Sequence, residues 1–89
     1  SFPNYTISKN KLKLNLTVNI DAILNKISKK YKEIKQNQVD GLKLDFEEGW
    51  VHMRKSNTDP IIRIYAESTN AHKANELAER FISELQSLI

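Results

Sequence analysis

The stretch Leu42–Ala66 reads LKLDFEEGWVHMRKSNTDPIIRIYA. Leu42, Leu44 and Phe46 alternate with Lys43 and Asp45, the two-residue period of a strand with one buried face. Glu47-Glu48-Gly49 interrupts that run, and three residues ending in glycine suit a hairpin loop with Gly49 in the left-handed region. Trp50 to Arg54 makes a second strand. Lys55 to Asp59 is a polar connection. Pro60 stands where a strand can begin without its N–H, and Ile61 to Ala66 is the third. Three consecutive strands joined by short turns are expected to be antiparallel.

Outward from this meander the pattern changes. On the N-terminal side, residues 1–10 carry Pro3 and mixed polar residues and read as an interdomain lead-in. KLKLNLTV, residues 11–18, alternates strictly and predicts a strand with Leu12, Leu14, Leu16 and Val18 on one face. Ile20, Ile23, Leu24, Ile27, Tyr31 and Ile34 then follow helical spacing, with Asn19 or Asp21 as the cap. The other face of this helix carries Lys26, Lys29, Lys30 and Lys32. Residues 35–40 are polar and end in the turn signal Asp40-Gly41. Beyond the meander, Thr69 or Asn70 caps a last helix whose stripe is Ala74, Leu77, Ala78, Phe81, Leu85 and Leu88. The expected fold is α+β: a two-layer β-α-β-β-β-α domain, with a four-stranded, mainly antiparallel sheet and two helices on one face. Residues 11–89 form that domain.

At 89 residues, the chain has room for one domain. Apolar residues at 39% and charged residues at 28% are ordinary for a soluble globular protein. With no cysteine, neither a disulfide framework nor thiolate chemistry is available, which suits a cytoplasmic location. No apolar run approaches a membrane span, and the N-terminus lacks the apolar core of a signal peptide. The chain opens without Met and reads as an excised piece of a longer one. The charge is uneven: residues 1–40 hold eight lysines against three acids, and residues 41–89 hold six Lys/Arg against eight acids. A general polyanion-binding function would therefore rest on the lysines of the first half.

The polar connection has a chemistry of its own. Consecutive backbone N–H groups in a turn form a concave anion site. Ser56 and Thr58 add hydroxyls, and Asn57 adds an amide and tolerates unusual backbone angles. Arg54 supplies a planar fork matched to phosphate oxygens. Arg63, on the next strand, reaches the same region if the two strands pair. These groups describe a phosphate clamp. No histidine lies near the serine or threonine in sequence, so no catalytic nucleophile is assigned. The same residues also make an ordinary polar turn, and composition leaves both readings open.

VDGLKLDFEEGWVHMRKSNTDPIIRIYAES resembles the C-terminal domain of the α-D-phosphohexomutases, the superfamily of phosphoglucomutase, phosphomannomutase and phosphoglucosamine mutase. The resemblance is carried by Asp40, Gly41, Phe46, Trp50, Arg54, Ser56, Asn57, Thr58, Asp59, Pro60, Arg63 and Tyr65, in that order. It implies that the chain is the fourth domain of a four-domain enzyme. It also implies that Arg54, Ser56, Asn57, Thr58 and Arg63 bind the phosphate of the sugar that is not being transferred, with Lys55 a possible accessory. The reaction so implied moves a phosphoryl group between the 1- and 6-positions of a hexose. The phosphoserine and Mg2+ it uses lie in the other domains, so this domain alone is expected to be inactive. The partners are then the phosphosugar and the other three domains, with neither nucleic acid nor membrane. Asn57, where many phosphoglucosamine mutases carry Gly, points toward the phosphomannomutase/phosphoglucomutase branch; phosphoglucosamine mutase is the alternative.

Other residues are weighed against plainer roles. His52 and His72 lack metal-ligand spacing and read as surface residues. Asp45, Glu47 and Glu48 flank a hairpin and read as solvated. Trp50, Phe46 and Tyr65 read as core rather than as a stacking surface. Asp59 reads as structural in the turn. A rival function from another class is nucleic-acid binding on an open sheet face. It needs exposed aromatics on central strands with basic residues beside them.

Overall fold

A computed structural model describes residues 5–15, 17–38, 41–56 and 59–89. Its elements are β1 (Thr6–Lys13), α1 (Ile20–Lys30), β2 (Lys35–Asn37), β3 (Leu42–Phe46), β4 (Gly49–Lys55), β5 (Ile61–Ser68) and α2 (Ala71–Ser87). Among the described residues the strands form one five-stranded sheet in the order β1-β5-β4-β3-β2, antiparallel throughout. The α+β architecture is thus as expected, with one strand more. Strands β2 to β5 form an up-and-down meander. The chain crosses from β1 at one edge to β2 at the other through α1.

Alternation along the strands sorts the side chains into two faces. Leu42, Leu44, Val51, Met53, Ile62, Ile64 and Ala66 point to the helices and are all at or below 1% exposure. Ile23, Leu24 and Ile27 of α1 and Ala78, Phe81 and Leu85 of α2 complete that core. Burying each large aliphatic side chain contributes about 1.5–3 kcal/mol. Both helices begin on asparagine: Asn19 Oδ1 accepts the Ala22 N–H at 3.0 Å, and Asn70 Oδ1 accepts the Lys73 N–H at 2.9 Å. Each cap satisfies an amide that the helix itself leaves without a partner.

Four local differences from the sequence expectation have physical causes. The first strand runs from Thr6 to Lys13 and not over 11–18, so it begins inside the expected 1–10 lead-in. Thr6, Ser8 and Asn10 alternate with Ile7, Lys9 and Lys11, so this edge strand has little apolar contrast. Pairing with β5 over eight residues sets its register instead. Secondly, α1 stops at Lys30, although Tyr31 and Ile34 still pack on the core beyond it. The third is β2, three polar residues without apolar signal. Its Gln36 Nε2 donates to the Ser28 and Tyr31 carbonyls, both at 2.8 Å, and so satisfies the end of α1.

The fourth concerns the hairpin glycine. Gly49 pairs directly with Phe46 across a two-residue turn, and only Gly41 has a positive φ, of 88°, among the described residues. What Gly49 supplies is room. A Cβ there would sit 1.9 Å from the Glu67 carbonyl oxygen.

Candidate anion site at the β4–β5 end

β4 and β5 pair with Arg54 directly opposite Arg63. Directly opposed residues of an antiparallel pair share a face, so both arginines project from the open side of the sheet, away from the helices. Both are exposed. The ladder continues one residue further, where the Ser56 N–H donates to the Ile61 carbonyl at 2.9 Å. Ser56 then turns the chain: its Oγ accepts the Asp59 N–H at 3.4 Å, while the Asp59 carbonyl accepts the Ile61 N–H at 2.8 Å. Asp59 therefore has a structural part in the turn through its backbone. Pro60 precedes the strand as expected, and its carbonyl accepts the Leu14 N–H at 2.7 Å. Asn57 and Thr58 lie outside the described residues.

Lys55 takes the other side. It is opposite Ile62, on the helix face, and its Nζ lies 2.9 Å from Asp21 Oδ2 in the first turn of α1. Arg54, Ser56 and Arg63 are thus brought to one face and one end, and Lys55 is turned from them.

The register brings in residues that the sequence reading set aside. β1 pairs with β5 so that Lys11 stands opposite Arg63, Lys9 opposite Tyr65 and Lys13 opposite Ile61. All three lysines are exposed on the open face. Three lysines of the basic first half, distant from the loop in sequence, thus lie on the strand next to β5. Lysine at every second position from 9 to 13 was the signal available. Trp50 and Tyr65 also lie on this open face rather than in the core, and Lys43 Nζ sits 4.9 Å from the centre of the Trp50 ring. Phe46 alone of the three aromatics packs inward, 5.9 Å from Phe81 and 6.1 Å from Tyr31, ring centre to ring centre.

The remaining candidates fall elsewhere. His52 stands on the open face between Tyr65 and Lys43, and exposed His72 lies 2.8 Å from Glu76. Among the described residues no three His, Asp or Glu side chains gather as a metal site. A hollow of about 450 Å³ lies at the opposite end of the sheet, lined in part by Glu47, Glu48, Glu76, Lys73 and Arg80. Lys73 is 3.4 Å from Glu48 there, and Arg80 donates to the Tyr31 hydroxyl at 3.0 Å. The shifted titrations also lie away from the loop. Burial pushes the Glu84 carboxyl up, but hydrogen bonds from Lys30 and Tyr31 outweigh it and hold the group below the usual carboxylate range. Burial, joined by the bond to Glu84, raises the Tyr31 hydroxyl. This cluster ties the end of α1 to α2.

An antiparallel sheet with two helices on one face defines a two-layer α+β domain, and a polar turn beside two opposed arginines marks one end of its open face. The chain belongs to the phosphohexomutase family: residues 13–84 match the phosphoglucomutase/phosphomannomutase C-terminal domain. It is 34% identical, over 98% of its length, to a phosphoglucosamine/phosphogalactosamine mutase of Sulfurisphaera tokodaii, of which it covers 19%. It is 41% identical, over 65% of its length, to a phosphoglucomutase/phosphomannomutase of Thermococcus kodakarensis, covering 13% of that protein. A phosphoglucosamine mutase of Methanococcus maripaludis is 29% identical over 96% of the chain and 20% of its own length. The chain thus spans about a fifth or less of these relatives.

Proposed function

We propose that this domain holds the non-transferred phosphate of a hexose phosphate while other domains of the parent mutase move a phosphoryl group between the 1- and 6-positions. The observation that carries the reading is the Arg54–Arg63 opposition at the mouth of the Ser56–Pro60 turn. Two guanidinium forks on one face suit the oxygens of a dianion. Ser56, Asn57 and Thr58 add short donors, and Lys55 stands apart. Phosphoryl transfer depends largely on positioning and electrostatics. A phosphate fixed at one end sets the distance of the reacting end and lets the sugar turn around between half-reactions. Rotation of this domain against its neighbours then opens and closes the cleft.

The described residues do not fit a Mg2+ site, and no step is routed through a metal here. Mg2+ and the phosphoserine are assigned to the other domains, so the isolated domain turns nothing over. The enzyme acts in the cytoplasm. Asn57 favours a phosphomannomutase/phosphoglucomutase. A second reading, an amino-sugar phosphate mutase, is favoured by the Sulfurisphaera relative, which matches almost the whole chain.

Titrating backbone amides of the chain with glucose 1,6-bisphosphate, and separately with inorganic phosphate, tests the clamp. Shifts are expected at residues 54–59 and at Arg63. Arg54→Ala is expected to weaken binding about 10-fold or more, the scale of one charged hydrogen bond. Unchanged affinity in that variant would remove Arg54 from the site.

A further inference from the structure

We infer that Asp59 selects a phosphosugar over free phosphate: the hexose ring seats in a hollow beside the turn, and the Asp59 carboxylate accepts from its hydroxyls. This rests on the phosphate-clamp reading of Arg54 and Arg63. The hollow has a volume of about 340 Å³ and is lined by Lys13, Leu14, Asp59, Pro60 and Ile61. Sites for small ligands join apolar walls to a few placed polar groups. Here Leu14, Pro60 and Ile61 offer apolar surface to the C–H groups of a sugar ring. A lysine ammonium only donates and a carboxylate only accepts, whereas the hydroxyls of a hexose do both.

The register sets this hollow beside the clamp. Lys13 stands directly opposite Ile61, as Lys11 does opposite Arg63. Ile61 and Arg63 are two residues apart on β5, about 7 Å, and share the open face. A ring bonded to a phosphate at Arg63 reaches Ile61 across that span. The frame is held by backbone bonds. The Leu14 N–H donates to the Pro60 carbonyl at 2.7 Å and the Ile61 N–H to the Asp59 carbonyl at 2.8 Å. The Asp59 N–H donates to Ser56 Oγ at 3.4 Å. These bonds engage the Asp59 backbone, and its exposed side chain lines the hollow.

The sign of Asp59 carries the selectivity. A carboxylate beside an anion site repels a bare phosphate. A ligand that brings hydroxyl donors together with its phosphate offsets that repulsion through hydrogen bonds to the carboxylate. Discrimination therefore comes from an element that opposes the wrong ligand as well as from those that attract the right one. Lys13 adds attraction for both ligands and a donor for the ring oxygens.

The experiment titrates the 89-residue chain with glucose 6-phosphate and, separately, with inorganic phosphate, at constant ionic strength, following backbone amides. Wild type is compared with Asp59→Ala, Lys13→Ala and Arg54→Ala. Asp59→Ala is expected to weaken glucose 6-phosphate about 3- to 10-fold, the scale of one hydrogen bond. The same variant should bind inorganic phosphate as well as wild type or more tightly, a pairing that neither lost charge nor a disturbed turn produces. Lys13→Ala should weaken both ligands, the sugar phosphate more. If Asp59→Ala weakens both ligands alike, Asp59 serves the turn alone and the inference fails. It fails also if the ratio of the two affinities keeps its wild-type value in Asp59→Ala and Lys13→Ala. In either case a loss of both ligands in Arg54→Ala leaves the clamp standing. If Arg54→Ala has no effect, the clamp reading itself fails and the inference with it. No saturable shift in wild type overturns both.

Discussion

β4 and β5 each build two unlike surfaces from one stretch of chain. Toward the helices they offer Val51, Met53, Ile62, Ile64 and Ala66, each with no exposed surface. Away from the helices they offer Trp50, His52, Arg54, Arg63 and Tyr65, each exposed or half-buried. A period of two separates the stabilising face from the proposed binding face. A change on one side should therefore move stability without moving phosphate affinity, and a change on the other should do the reverse. Arg54→Ala at the proposed clamp probes the open face, and changes in the core, at the helix junction and at Lys55 probe the other.

The largest effect is expected from Phe81→Ala. Phe81 is wholly buried, with the Tyr31 ring 5.2 Å away, centre to centre. Truncation leaves a cavity in the middle of the core and should cost about 3–5 kcal/mol by urea denaturation. For a domain of this size that is a large share of the total stability. Phosphate affinity, measured on the molecules that stay folded, should equal the wild-type value. A loss of affinity like that of Arg54→Ala would show that the faces are coupled through the sheet.

That core was legible in the sequence because its signal is periodic. Leu42, Leu44 and the stripe Ala74, Ala78, Phe81 and Leu85 repeat at the spacing of the element that carries them, and the structure buries them accordingly, with Leu77 and Leu88 of the expected stripe partly buried beside them. The sequence left the reach of Arg63 conditional on the pairing of its strand with Trp50–Arg54, and the register sets it directly opposite Arg54. Three things were not legible. β1 and β2 are polar edge strands, fixed by long-range pairing that local pattern does not encode. The lysines of β1 joined the loop only through that same pairing. Gly49 looked like a conformational requirement and is a spatial one, since the atom it makes room for, the Glu67 carbonyl oxygen, belongs to a strand closed 18 residues later.

A smaller, pH-dependent effect is expected at the junction of the helices. Lys30 and the Tyr31 hydroxyl both donate to Glu84, and Arg80 donates to the Tyr31 hydroxyl at 3.0 Å. Glu84 is 15% exposed and Lys30 is 63% exposed, so solvent screens the charge pair. Glu84→Gln should cost no more than about 1 kcal/mol at pH 7. The sign follows from the lowered carboxyl: its stabilisation is complete above the usual carboxylate pKa and is lost as the pH falls through the lower, folded value. Wild type and Glu84→Gln should therefore converge in melting temperature as the pH is taken down to about 2, well below the usual carboxylate pKa. A gap that stays constant with pH would assign the effect to packing.

The smallest effect is expected at Lys55, one residue from the arginine of the proposed clamp. Lys55 follows Arg54 in sequence, but the strand turns it to the helix side, 2.9 Å from Asp21. Both side chains are well exposed, at 46% and 72%. An ion pair of that kind contributes about 0.2–1 kcal/mol, often nothing measurable, and salt weakens it further. Lys55→Ala should barely shift the urea midpoint and should leave phosphate affinity as it is. The comparison with Arg54→Ala is strict, because both changes remove one positive charge from adjacent positions. Equal losses of affinity would mean that net charge near the turn attracts the phosphate, whichever face presents it. A loss in Arg54→Ala alone would mean that the pleat of β4 decides which cation the ligand meets.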